Sequence, residues 1–249
     1  MKKLSWLVAL GIGAYLLFAI VTLPASVLLG RLQSAGVTAA GVDGTAWNGR
    51  AQLVQIQGVD IGSIEWNLHA LALFALRLQG DVKITRPGGF AQSQVSLRAS
   101  GPIEFADLTA SLPLSALANV APSGWTGTVN LKFSELVLQD GWPIAAIGTA
   151  DVIDVGSANQ RSPISGSYKV SFPASETSAP EGTLAGELTD LGGPLQITGE
   201  LQLNPDRSYL LRGLVAPRPD APKELVNQLQ ILGPADAQGR REFALDGTM

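Results

Sequence analysis

One histidine, His69, and no cysteine leave this 249-residue chain few side chains able to do chemistry. Without cysteine there is no thiol nucleophile, no disulfide, and no Cys-based zinc or iron–sulfur site. A carboxylate-only metal loop would need a pattern such as D-x-[DN]-x-[DN]-G, and none occurs. A Ser-His-Asp triad would have to use His69, yet there is no G-x-S-x-G elbow. His69 follows Trp66-Asn67-Leu68 and reads as a packing or surface residue. Asp151 and Asp154 are three apart, which on a strand sends them to opposite faces. They read as solvated charge or strand-end turn residues. Glu65, Glu104, Glu135, Glu187 and Glu200 are scattered singly and read as outward-facing solubility residues. Gly11-Ile12-Gly13 lies inside an apolar run and cannot cradle a phosphate in water. Residue types alone still permit a glycosidase-like carboxylate pair, and an aromatic content of 6% argues against a carbohydrate platform. No catalytic, cofactor-binding or metal-ligating residue is assigned, no cofactor is expected, and the chain is expected not to be an enzyme.

The elements around these residues begin with a membrane anchor. Leu4 to Leu23 contains no charged residue, and twenty residues of helix span the ~30 Å hydrocarbon core of a bilayer. Lys2 and Lys3 precede it and only Arg31 follows closely, so the positive-inside rule keeps the N-terminus cytoplasmic and translocates the rest. Pro24 marks the end of the helix. A cleaved signal peptide is disfavoured: the run exceeds the usual ~7–15 residue apolar region, and Thr22-Leu23-Pro24-Ala25-Ser26 offers no clean cleavage site. Met1 to Gly30 carries two lysines and no acid, whereas the remainder holds all 21 acidic residues. A net-acidic exported part has no electrostatic footprint for nucleic acid.

Beyond the anchor the pattern is that of a sheet. Leu195, Ile197, Leu201 and Leu203 alternate with Gln196, Thr198, Glu200 and Gln202, a half-buried strand of period two. Val129, Leu131 and Phe133 repeat the pattern, as do Val95 and Leu97. Leu184 and Leu188 oppose Glu187 and Thr189, and Ile64, Trp66 and Leu68 line one face of a further run. Trp47, Trp66, Trp125 and Trp142 fall at or within such runs and read as core, while Trp6 belongs to the anchor. Turn signals separate the runs at Pro87-Gly88-Gly89, Gly101-Pro102, Pro122-Ser123-Gly124, Gly192-Gly193-Pro194 and Asn204-Pro205-Asp206. Helix is expected only at His69–Leu78, Leu112–Val120 and Pro222–Leu232. The last has Pro222 at its first position and Leu225, Leu229 and Leu232 on one face. The expected organisation is therefore a cytoplasmic tip and transmembrane helix over 1–25, a stem over 26–40, and a mainly β antiparallel domain over 41–249. That domain would be a sandwich or a curled half-barrel with one short C-terminal helix. The polar segment Pro173–Pro180 is expected as a surface loop that could divide it.

Several of these elements, in order, carry a likeness. The chain resembles the type II secretion system protein N family, also called general secretion pathway protein N. It has a short Lys-flanked membrane helix ending near a proline. Gly44-Thr45-Ala46-Trp47-Asn48-Gly49 then looks like that family's G-t-x-W-x-G, and Gly58-Val59-Asp60-Ile61-Gly62 leads to Trp66. Gly192-Gly193-Pro194-Leu195 opens a strand pair, and Arg218-Pro219-Asp220-Ala221-Pro222 leads to a helix ending at Leu232-Gly233 and a last strand through Phe243 to Gly247. The resemblance implies an accessory, non-catalytic inner-membrane subunit with a periplasmic β domain. Its partners would be other inner-membrane or periplasmic subunits of the secretion machine. It carries over no catalytic or cofactor residues. A looser likeness to AsmA-type anchored β proteins, whose curled sheets form lipid grooves, makes lipid binding or transfer the alternative.

Overall fold

The runs of period-two alternation form strands. In the computed structural model the strands are β1 (Val37–Gly44), β2 (Asn48–Ile56), β3 (Val59–Leu68), β4 (Arg77–Arg86), β5 (Gly89–Arg98), β6 (Ile103–Pro113), β7 (Trp125–Gln139), β8 (Trp142–Ser157), β9 (Gly166–Phe172), β10 (Leu184–Gly192), β11 (Leu195–Leu203), β12 (Ser208–Pro217) and β13 (Arg241–Thr248). The structure describes the whole chain except residues 1, 70–71, 73–76, 99–100, 118–123, 158–165, 176–178 and 249, and it leaves out the side chains of 2–9, 16–17, 28 and 35. All thirteen strands join one sheet in sequence order, and every register described is antiparallel. By internal contacts the chain divides into two compact units, Met1–Pro87 with Gln94–Ala99, and Gly88–Ser93 with Ser100–Met249.

The first unit opens with helix α1 (Lys2–Val21). Thr22 closes it by donating its hydroxyl to the Phe18 carbonyl at 2.8 Å. Among the described residues no helix is long and apolar enough to cross a membrane. The stem expected over 26–40 is built from helix α2 (Ala25–Leu32), a 3-10 turn over Gln33–Ala35 and the start of β1. Pro24 sits at the N-cap of α2 in an extended conformation, which a proline before a helix favours. Small side chains let α2 lie close on the sheet: Ala25, Ala46, Ala51 and Val54 are all buried. The helix expected over His69–Leu78 is not formed at its C-terminal end, because Arg77 and Leu78 begin β4. Residues 70–71 and 73–76 of that stretch lie outside the described residues.

In the second unit the register sorts side chains cleanly. One row runs across eight strands as Ala110, Leu131, Ala150, Val170, Leu188, Gly199, Gly213 and Phe243. The row beside it, on the opposite face, is Thr109, Lys132, Thr149, Ser171, Glu187, Glu200, Arg212 and Ala244. Alternation of this kind gives a sheet one apolar and one polar face. Leu112 and Pro113, expected to start a helix, end β6, and Leu114–Leu117 form a 3-10 turn. The loop after β9 leaves β9 and β10 paired, with the Ala174 amide donating to the Ala185 carbonyl at 2.8 Å.

Helix α3 (Lys223–Leu229) and a following 3-10 turn (Gln230–Leu232) occupy the expected Pro222–Leu232, with Pro222 as N-cap instead of first helical residue. Leu225 and Leu229 pack with Leu195 and Val215, and Ile197 and Phe243 border the cluster. Leu232 does not share that face and is 42% exposed, because the tighter 3-10 turn rotates it away from the i, i+4 stripe. Leu229→Ala is therefore expected to cost ~2–3 kcal/mol. Leu232→Ala should change the urea midpoint little, so equal shifts for the two variants would contradict this packing.

Candidate functional site

Gly44–Gly49 forms the corner between β1 and β2, and the chain folds tightly there. The Thr45 amide and hydroxyl both reach the Asn48 carbonyl, at 2.8 and 3.4 Å. Gly44 has φ +89, a left-handed conformation that favours glycine. Two tryptophans, Trp47 within the corner and Trp66 on β3, both bond to carbonyls earlier in the chain. Trp47 donates its indole N–H to the Ile20 carbonyl of α1 at 2.8 Å, an oxygen in the last turn that also accepts the Leu23 amide at 3.3 Å. Trp66 on β3 donates to the Ala46 carbonyl at 3.0 Å. The Ala46 amide donates to the Leu23 carbonyl at 2.7 Å, and Pro24 bridges to Thr45. The corner thus fixes the exit of α1 to the first unit's sheet. Downstream, the Asp60 carboxylate accepts the Gly62 amide at 2.9 Å, which shapes the start of β3.

A second joint unites the two C-terminal motifs. Asp190 lies on the apolar face of β10 with its side chain only 10% exposed. It accepts the Ile197 amide at 3.0 Å and pairs with the Arg218 guanidinium. The Arg218 amide donates to the Pro194 carbonyl at 2.8 Å. Residues 192–195 and 218–222 are therefore the two halves of one clasp, and α3 starts from it. Tyr168, opposite Asp190 in register, has its hydroxyl pKa raised, first by burial and then by the Asp190 charge. Hairpin acids behave in the reverse sense. Asp206 is lowered by its bonds to the Ser208 hydroxyl and amide, and Asp236 by the amide and side chain of Arg240.

Among the described residues a concavity lies on the polar face of β10–β13, a cleft of about 1070 Å³ whose lining includes Ser175, Glu187, Thr198, Glu200, Arg212 and Glu242. Gly199 and Gly213 face each other beneath it. A side chain at Gly199 would meet the Arg212 carbonyl at 2.5 Å, and one at Gly213 would meet the Phe243 ring at 3.1 Å. Glu187 and Glu200, scattered singly in the sequence, are directly opposite in register. Like charges so placed repel. Three contacts offset this: Arg212 approaches Glu200 at 3.7 Å, Gln202 donates to Glu200 at 2.8 Å, and the Ser175 hydroxyl donates to Glu187 at 3.1 Å. Three carboxylates against one guanidinium make a cleft suited to basic groups, and none of its lining residues is histidine, cysteine or lysine.

The other residues weighed for chemistry stand apart from this cleft. His69 faces Asp81 at 3.3 Å with both side chains about half exposed. Asp151 sits in register between Asn130 and Lys169, and its Oδ1 is buried without a partner, so it is not the solvated charge expected. Asp154 has φ +52 at a register shift inside β8, where its amide donates to the Ser167 hydroxyl at 3.1 Å, so it is a bulge residue and not a strand end. Glu65 lies in register between Arg50 and Lys83. Among the fully described residues no group of three or more His, Cys, Asp or Glu could hold a metal ion. Trp142 is buried as expected, with its indole N–H unpartnered, while Trp47, Trp66 and Trp125 are half-buried.

Comparison with known proteins gives a consistent match. The family model for type II secretion system (T2SS), protein N, matches residues 35–244. A type II secretion system protein N of Aeromonas hydrophila is 27% identical over 258 residues, covering 99% of each chain. One of Vibrio cholerae serotype O1 is 29% identical, covering 92% of each. One of Pectobacterium carotovorum subsp. carotovorum is 25% identical, covering 95% of this chain and 94% of its own. No solved structure matches significantly.

Proposed function

The chain belongs to the type II secretion system protein N family, and on that premise we propose that it is an accessory, non-catalytic subunit of the type II secretion machine. It is anchored in the inner membrane by Leu4–Leu23 with its N-terminus cytoplasmic, and its β sheet projects into the periplasm to bind other secretion components. The observation that carries this reading is the family match over 35–244, which takes in all of β1–β12 and the first half of β13. The corner at Trp47 supports it, because hydrogen bonds there tie the end of α1 to the first unit's sheet. Deleting the gene is expected to leave the machine's substrates inside the cell envelope and to deplete them from the medium. Unchanged secretion under several growth conditions would overturn the assignment. A cysteine at Ser34 should react with a membrane-impermeant maleimide from the periplasmic side only; labelling from the cytoplasm would reverse the topology.

A lipid-binding role is the second reading. One observation favours it: the apolar face of the second unit is half-open, and α3 covers it at Leu195 and Val215. Phospholipid co-purifying with the full-length protein would support it, and a lipid-free preparation of full stability would remove it.

A further inference from the structure

Two strands end the sheet order, and they are built differently. β1 carries α2 packed along it, is followed at Thr45 by a bridge to Pro24, and is interrupted by Gly41 at φ +64, where its ladder skips a pair. Such devices blunt an edge. β13 has no such bridge or interruption, and the 3-10 turn over Gln230–Leu232 touches it, with the Arg241 guanidinium at the strand's start donating to the Gly233 carbonyl. The strand runs through eight residues without proline, bulge or register shift, and among the described residues no strand pairs with its outer side. Leu245 continues an apolar row from Leu201 and Leu211, yet it is 58% exposed, because the row has no further neighbour.

We propose that the outer edge of β13 accepts an extended strand from another secretion subunit, one alternating apolar with basic residues; this rests on the secretion reading and names its contact surface. Strand addition supplies main-chain hydrogen bonds for affinity and alternate side chains for specificity. On the apolar side, the incoming strand meets Phe243 and Leu245. On the polar side, it meets Glu242 and Asp246, beside the cleft that Glu187, Glu200 and Glu242 make acidic. Cross-strand pairs favour opposite charge there. A second copy of this chain is a poor occupant. Pairing two β13 strands puts Glu242 and Asp246 either on the same face as their counterparts or against Phe243 and Leu245.

The absence of cysteine makes the test clean. Single cysteines at Glu242, Phe243, Ala244, Leu245 and Asp246 in the full-length chain, in its native envelope, would be joined to nearby amines by a short thiol-to-amine reagent. The expected result is capture of a separate polypeptide with period-two strength along β13. A Glu242→Lys, Asp246→Lys pair, both exposed, should cut that capture at least tenfold with thermal stability kept. Ala244→Pro and Leu245→Pro complete the test. Proline is tolerated only where the N–H points off the sheet, so one of the two should fold normally and lose capture. Undiminished capture in the charge-reversed and stable proline variants would overturn the proposal, as would a homodimer or a pattern without period two. If deletion of the gene lowers secretion while these variants secrete normally, the edge is wrong and the secretion role stands. If deletion changes nothing, the secretion role fails first.

Discussion

Gly49→Ala is expected to destabilise the first unit by ~3 kcal/mol, a large effect for one methyl group. An ideal Cβ at Gly49 would lie 2.5 Å from Cζ2 of Trp66 and 2.8 Å from the Thr45 carbonyl oxygen. Neither neighbour can yield cheaply. Moving the Trp66 ring breaks its N–H bond to the Ala46 carbonyl, and moving Thr45 disturbs both its bonds to Asn48 and the Pro24 bridge. Gly30 in α2 supplies the opposite control. No atom lies within 4 Å of its Cβ position, so Gly30→Ala should stabilise by ~0.5–1 kcal/mol through helix propensity alone. Urea unfolding of the detergent-solubilised full chain, followed by tryptophan fluorescence, measures both. Two units make the curve less than two-state, so the expected signature is an early transition for Gly49→Ala and an unmoved or later one for Gly30→Ala. If Gly49→Ala matched the parent, the corner would not be the tight joint described.

That corner was legible as a motif but not as a mechanism. The spacing of Gly44, Trp47 and Gly49 marks a special turn, yet only the fold shows that Trp47 reaches back 27 residues to α1 while Trp66 reaches back 20 to Ala46. The β11 strand was legible because one face of Leu195–Leu203 is apolar at every second position save Gly199, and local alternation is all a strand needs to declare itself. Even there Gln202, on the polar face, is buried. The cleft was not legible. Glu187 and Glu200 are thirteen residues apart, and their opposition depends on the β10–β11 register, which a turn sets and composition does not. Helix α2 was hidden for another reason. It is eight residues long with a glycine inside, and its leucines follow directly on the apolar run of α1. Arg77 and Leu78 look helical beside Ala75 but pair as strand, since tertiary pairing overrides a weak local preference.

Arg218→Ala should cost about 2–4 kcal/mol, and the reason lies mostly in what it leaves behind. Asp190 is an acid on the apolar face, nearly covered, between Tyr168 and Ile197 in register. With Arg218 gone it keeps the Ile197 amide and loses its only countercharge shown in the structure. An uncompensated charge of this kind is costlier than the ion pair is favourable. The double variant Asp190→Asn, Arg218→Ala should therefore be more stable than Arg218→Ala alone, although it carries one more substitution. Arg218 is partly open to water, at 39% exposure, which places the single variant toward the lower end of that range. A double-mutant cycle on urea midpoints decides the matter. If the losses simply add, Asp190 is adequately solvated without its partner, and residues 192–195 and 218–222 meet for backbone reasons alone. If the double variant recovers stability, the clasp exists to neutralise one misplaced charge. In that case Arg218 seats the start of α3, and through Leu225 and Leu229 it holds the β11–β13 end of the sheet in place.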